Sequence, residues 1–372
     1  MDNSAADRLK SLSQFLESDR ENPALLRDVA ETALEANECD VAIQVFERLN
    51  AVEPLEGELA NLAGIAAMRA GDQSTAREWY DVASKDMPDD AGVMFNKAWS
   101  HALSGEFDAS VELLNEDVTK QLPQAAMLDM QIAHERGEFE DAEAKMDAYL
   151  ELHADYPPLA AAASVLAMDV YRPDLAREAA LKGGGHPDAV TTLGTLDLGE
   201  FKVDQAEAQF TQALATGHNN PRAEIGLGLV ALARKDYSGA AAWIDKGAEQ
   251  FGDHLGSWVA AGWSYLLADD KEKARARFQK ALNTDDTFGE AHGSLAIMDI
   301  LDGDMEEGQH KVQIALRLDR ESFSASLASI LIANSKGQSE TAQRILDRAL
   351  QTSVLPSGGT LEQAIVTAAL SD

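Results

Sequence analysis

Residues 256–282 read GSWVAAGWSYLLADDKEKARARFQKAL. The first half sets Trp258, Gly262 and Tyr265 on a helical period, and the second half does the same with Ala274, Phe278 and Ala281. Between them Ala268-Asp269-Asp270 is a polar break of turn length. Each half is apolar on one stripe only, so neither helix holds itself together in water. Folded back on each other, the two bury part of that stripe and leave the rest for a neighbour.

The same order of residues recurs along the chain. In LANLAGIAAMRAGDQSTAREWYDVA (residues 59–83), Gly64, Ala76, Tyr80 and Ala83 stand where Gly262, Ala274, Phe278 and Ala281 stand above. An earlier copy holds Ala30, Ala42, Phe46 and Leu49. Two later ones hold Ala98, Gly105 and Ser110, then Gly137, Ala142 and Met146. The frame continues with Gly194, Ala206 and Phe210, with Gly228, Ala240 and Ile244, and with Ala296, Gly303 and Ala315. It closes with Gly337, Ala342 and Leu346.

This spacing resembles the tetratricopeptide repeat, a unit of about 34 residues with small and aromatic positions in this order. The resemblance covers residues 23–353 in about ten units. It implies an all-α, right-handed superhelical solenoid of helix-turn-helix repeats with a capping helix at each end. The division read from the sequence is an N-terminal cap at 1–22, half-arrays at 23–186 and 187–353, and a C-terminal cap at 354–372. Gly183-Gly184-Gly185 leaves two readings, a hinge between the half-arrays or a longer loop in one continuous array.

Residue types follow from packing. Gly64, Gly194, Gly228 and Gly262 stand where a unit's first helix must approach its second closely, and the alanines at 42, 76, 142, 206 and 274 reciprocate. Phe46, Tyr80, Phe210, Trp258 and Phe278 fill the space between. Asn22-Pro23 and Asn220-Pro221 read as an N-cap followed by proline at the first helical position. Gly71, Gly105, Gly137, Gly303 and Gly337 end first helices by allowing the left-handed backbone. Leu9, Leu12, Phe15 and Leu16 form one face of the N-terminal cap, and Thr360-Leu361-Glu362-Gln363 reads as a capping box opening the last helix.

Composition narrows the function. Lys plus Arg is 31 against 64 Asp plus Glu, a formal charge of −33, which repels phosphate backbones and anionic membranes. Cys39 is the single cysteine, so no internal disulfide forms. No secretory signal and no membrane-length apolar run is read, which makes a cytoplasmic protein the expectation. Gly226 and Gly228 match GxGxxA, but a helix starting at Pro221 already contains both; the dinucleotide fingerprint needs its glycines at a helix start. His134-Glu135 opens like a metalloprotease motif, yet Glu138 replaces the second ligand and Gly137 breaks the helix. The sequence therefore predicts no catalysis, no cofactor and no metal. The basic run at Lys271–Lys280 is read as a solvated face, or more sharply as a dock for an acidic partner.

In tetratricopeptide arrays the first helices line a concave groove that binds a peptide or a partner's helix. Carried onto this frame, the resemblance marks Asn61, Ile65, Phe95, Asn96 and Trp99 in the N-terminal half, and Ile225, Leu229, Val259, Trp263, Leu266 and Ile297 in the C-terminal half. Arg27, Asn61 and Asn96 occupy places where some members clamp a terminal carboxylate, but without the lysine cluster of that clamp. The C-terminal groove is apolar instead. The reading is a scaffold or adaptor whose groove takes an amphipathic helix or apolar segment of a protein partner with basic flanks. The competing reading is that these side chains pack between neighbouring first helices. A homo-oligomer, with the groove taking another copy's terminal helix, and an assembly subunit or chaperone of a larger complex are the alternatives.

Overall fold

A computed structural model describes residues 3–217 and 219–351. Every described element is an α-helix, and the chain divides into two compact units, Met1–Leu159 and Ala160–Asp372. The expected cap at 354–372, with Thr360 to Gln363, lies outside the described residues.

In the first unit α1 (Asn3–Ser18) precedes four helix pairs: α2 (Pro23–Glu35) with α3 (Cys39–Val52), α4 (Gly57–Arg69) with α5 (Gln73–Asp86), α6 (Ala91–Leu103) with α7 (Phe107–Leu113), and α9 (Pro123–Glu135) with α10 (Phe139–Leu152). A short α8 (Glu116–Gln121), which the sequence reading did not anticipate, follows α7. Asn115 caps it by accepting from the amides of Asp117 and Val118, and it packs on α6 and α9 through buried Val118. Leu9 and Leu12 of α1 pack on the core and Leu16 is buried, but Phe15 is 65% exposed and is not part of that face.

In the second unit the pairs are α11 (Pro157–Asp169) with α12 (Pro173–Gly183), α13 (Pro187–Gly199) with α14 (Val203–Leu214), and α15 (Pro221–Ala233) with α16 (Tyr237–Phe251). Then come α17 (Leu255–Leu267) with α18 (Lys271–Thr284), α19 (Gly289–Leu301) with α20 (Met305–Leu318), and α21 (Phe323–Ser335) with α22 (Ser339–Leu350). Ten pairs stand where ten units were read.

Glycine and ring interlock as the sequence predicts. The rings of Tyr80, Phe210 and Phe278 are fully buried and lie flush on Gly64, Gly194 and Gly262. A Cβ on Gly194 would come 2.7 Å from the Phe210 ring. Phe210 also covers Gly226, so one side chain joins its own unit to the next. Removing such a ring costs about 3–5 kcal/mol. Gly183 is a packing glycine too: a Cβ there would meet Ala189 at 2.7 Å and the Ala161 backbone at 3.1 Å, while Gly184 carries the positive φ that ends α12.

Each turn inside a pair contains one left-handed residue, at 37, 71, 105, 137, 171, 201, 235, 269, 303 and 337. Five are the predicted glycines. The others are Asn37, Tyr171, Phe201, Lys235 and Asp269, where a Cβ is accepted at a cost of roughly 1–2 kcal/mol. Asn22 and Asn220 cap as read, accepting from the amides of Leu25 and Ala223 at 3.2 and 3.0 Å. Asp72, Asp236, Asp270 and Asp304 do the same for second helices, so part of the acidity serves helix starts.

Candidate functional site

In the first unit the first helices α2, α4, α6 and α9 run side by side, and the predicted residues of α4 and α6 come together. The side-chain amide of Asn96 donates to the side-chain oxygen Oδ1 of Asn61 at 3.1 Å, tying the two helices together. Ile65 is half-buried against the Tyr80 cluster. Phe95 and Trp99, one turn apart on α6, have ring centroids 5.5 Å apart at 49°. Phe95 is half-buried, and Trp99 is 45% exposed. A separate groove of about 440 Å³ between α2 and α4 is lined by Arg27, Glu31, Leu59, Leu62 and Arg69.

In the second unit the predicted residues separate into two kinds. Leu229 is 40% exposed. Ile225 is half-buried over Gly247 of α16, and Trp263 meets Phe278 edge-on at 5.8 Å. Val259 and Ile297, at 9% and 2% exposure, lie in the core. For Ile297 the cause is a close approach of α19 to α21: Gly293 faces the backbone of Ser324 and Ala325, and Ser294 donates to the Ser324 hydroxyl at 3.0 Å. With no side chain at 293, Trp263, Leu266, Ile297, Ile300, Leu327 and Leu331 fall into one cluster between first helices. Much of the apolar stripe here is therefore covered by the chain itself.

The structure holds acids that sequence reasoning missed. Asp129 accepts from Lys145 at 3.0 Å and Tyr149 at 2.6 Å; Asp197 accepts from Arg177 and Gln209, both at 3.0 Å. Asp299 holds Arg275 and Lys311 at 2.8 Å each. Asp245 accepts from Tyr265 at 2.8 Å and Arg277 at 2.7 Å. Burial first, and then this hydrogen bond, pushes the Tyr265 hydroxyl up to about 12, while its bond to Asp245 holds the Arg277 guanidinium above its ordinary value. Two members of the basic run at 271–280 are engaged here. Arg275 and Arg277 take these acids, Lys273 lies over Tyr265, and Arg277 and Lys280 over Trp258. The rest of the run, with Lys271, Lys273 and Lys280 exposed, remains a solvated face, and only its two arginines reach acids on α16 and α19. The available signal was the recurrence of a basic residue in second helices, which reaches an acid of its own pair at Lys145 and Lys311, of the next pair at Arg177 and Arg275, and of the preceding pair at Arg277.

The motifs that resembled chemistry resolve into packing. Gly226 and Gly228 lie inside α15 beneath Phe210 and Ile244, and Gly137 makes the left-handed turn after α9. Among the described residues no three His, Cys, Asp or Glu side chains gather to hold a metal ion, and no helix is long and apolar enough to cross a membrane.

Fold and face together define an all-α repeat scaffold. Residues 27–91 and 191–254 match the tetratricopeptide repeat model, and the chain is an array of such units, an architecture that serves protein–protein interaction. Among solved structures it is similar to a monomeric mutant of IFIT1 with Gppp-AAAA, at 10% identity and TM-score 0.58, covering 94% of this chain and 95% of that one. A second IFIT1 structure, with m7Gppp-AAAA, gives 14% identity and TM-score 0.54 over 83% and 80%. Pseudomonas aeruginosa pilF gives 16% and 0.45 over 55% and 94%. At these identities the IFIT1 likeness concerns the fold alone.

Proposed function

We propose that this chain is a non-catalytic cytoplasmic scaffold or adaptor whose first helices receive an amphipathic helix or apolar segment of a protein partner. The observation that carries the reading is Trp99. A tryptophan left 45% exposed, backed by Phe95 and flanked by the Asn61–Asn96 pair, offers an apolar anchor beside hydrogen-bonding groups. Ile65 of α4, half-buried against the Tyr80 cluster, is the further predicted member of this face. In the second unit Leu229, with half-buried Ile225, Trp263 and Leu266, is the corresponding apolar surface, while Val259 and Ile297 support it from the core. The charge of −33 favours basic residues flanking the bound segment and disfavours a polyanion such as RNA.

The test is selection from a displayed peptide library on the intact protein, with the Trp99→Ala variant as counter-target. Enriched peptides should carry an apolar core with Lys or Arg flanks and lose affinity at least tenfold on Trp99→Ala, the cost of a typical interface anchor. Enrichment that ignores Trp99 would move the binding face elsewhere.

A further inference from the structure

With acids outnumbering bases two to one, four arginines of the second unit, Arg177, Arg234, Arg275 and Arg277, each hold two carboxylates. Arg320, Arg344 and Arg348 do not. They converge on a groove of about 330 Å³ between α20, α21 and α22, and among the described residues none of the three forms an ion pair. The groove is floored by Leu316 and Ile345 and rimmed by the hydroxyls of Ser326, Ser329 and Thr341. Arg344 donates to the Thr341 hydroxyl at 3.1 Å, which leaves the Thr341 proton free for another acceptor. The Ser329 hydroxyl donates to the Ala325 carbonyl. Three cations around one hollow repel each other unless an anion sits among them.

The protein supplies its own control. A groove between α1, α2 and α3 occupies the same register 300 residues earlier, with Leu16, Arg20, Val45 and Arg48 where the last unit has Leu316, Arg320, Ile345 and Arg348. There, Val29, Val41 and Gln44 stand in place of Ser329, Thr341 and Arg344, and Glu17 and Glu21 line the wall. Arg48 spends a donor on the Arg20 carbonyl oxygen at 2.9 Å. The same geometry thus carries aliphatic and acidic lining in one copy, and hydroxyls with a third guanidinium in the other. Apart from Val45 against Ile345, the differences at these matched positions move the last copy toward an oxyanion.

We propose that the groove of the last unit binds a phosphate dianion, free or as a small monoester. Arg344 and Arg348 present N–H forks to its oxygens, Arg320 closes the charge, and Ser326 and Thr341 donate hydroxyls. The apolar floor receives the carbon side of an ester. A long polyanion is repelled by the acidic remainder of the surface, so the ligand is small.

Isothermal titration of the intact protein with inorganic phosphate, and separately with O-phosphoserine, tests this against sodium chloride at matched ionic strength. Saturable one-to-one binding is expected, with O-phosphoserine the tighter if the natural ligand is an ester and inorganic phosphate at least as tight if it is the free ion. Arg344→Gln, which reproduces the first groove, should weaken binding about tenfold, and Arg344→Lys, which keeps charge but loses the fork, should fall between. Arg48→Gln should change nothing. Melting curves report whether each variant is folded, and these exposed positions tolerate substitution. Heats that never saturate, or equal binding by wild type and Arg344→Gln, overturn the assignment; equal losses in Arg344→Gln and Arg48→Gln reduce it to general screening.

Discussion

The ten intra-pair turns allow a reciprocal experiment on stability. Lys235 has φ 63° and Tyr171 φ 57°, both in the left-handed region, and both side chains are exposed, Tyr171 by 73%. Nothing these side chains touch is needed to explain their backbone; the turn geometry imposes it. A non-glycine residue pays roughly 1–2 kcal/mol there, and glycine avoids this but gives back about 0.5–1 kcal/mol through its greater freedom in the unfolded chain. Lys235→Gly and Tyr171→Gly should therefore each stabilise by about 0.5–1 kcal/mol, and together by the sum, since the turns lie in separate helix pairs without shared partners. Gly71→Ala, at φ 84° with nothing within 4 Å, should lose about 1 kcal/mol for the opposite reason. Urea titration followed by circular dichroism measures both. Repeat arrays can unfold in steps, so the comparison is made on midpoint and slope together. Destabilisation by Lys235→Gly, or a harmless Gly71→Ala, would refute the turn argument.

Gly262→Ala should cost about 1–3 kcal/mol in thermal or chemical denaturation, because its Cβ would enter the fully buried Phe278 ring, whereas Gly199→Ala, which meets nothing, should be neutral or stabilising. Trp99→Ala should change stability by about 1 kcal/mol or less, since nearly half of the ring is in water, which is what makes it a usable probe of binding. Tyr265 should remain neutral until about pH 12 in an ultraviolet difference titration of wild type against Tyr265→Phe. Its pKa is raised on folding, so the stability it contributes is complete below the ordinary tyrosine value of about 10 and is lost as pH climbs toward 12. Titration of Tyr265 with the exposed tyrosines would remove the Asp245 bond as a structural element.

The repeat frame was legible because the helix-to-helix contacts are made by residue types with few substitutes. Only glycine lets the Tyr80 ring lie on α4, and only a short side chain at 76 lets α5 approach, so the pattern survives in every well-formed unit. The turns were half legible. Glycine announces a left-handed residue, but Lys235 and Tyr171 do the same work at a cost that tertiary packing absorbs, and nothing in their identity signals it. The candidate face was legible by position and not by exposure. Trp99 and Ile297 hold the same groove position of the frame, yet one is 45% exposed and the other 2%, because exposure depends on how closely the next first helix approaches. At Ile297 that distance is set by Gly293, one turn earlier on the same helix, which faces the backbone of α21.

Acidity, read from composition alone, looked like a property of the surface as a whole. The structure divides it. Some aspartates cap second helices, some lie buried beneath Arg or Lys as ties between units, and these uses draw in much of the basic complement. What remains outside is more uniformly negative than the composition suggests, since the cations are disproportionately engaged. A cationic group that stays unpaired under those conditions is therefore a stronger functional signal here than the same arginine in a neutral protein. By that reasoning two places on the described surface stand out as candidates, an apolar one at Trp99, backed by Phe95, and a basic one where Arg344 and Arg348 share a groove. They ask for different ligands, and loss of binding at one should leave the other intact.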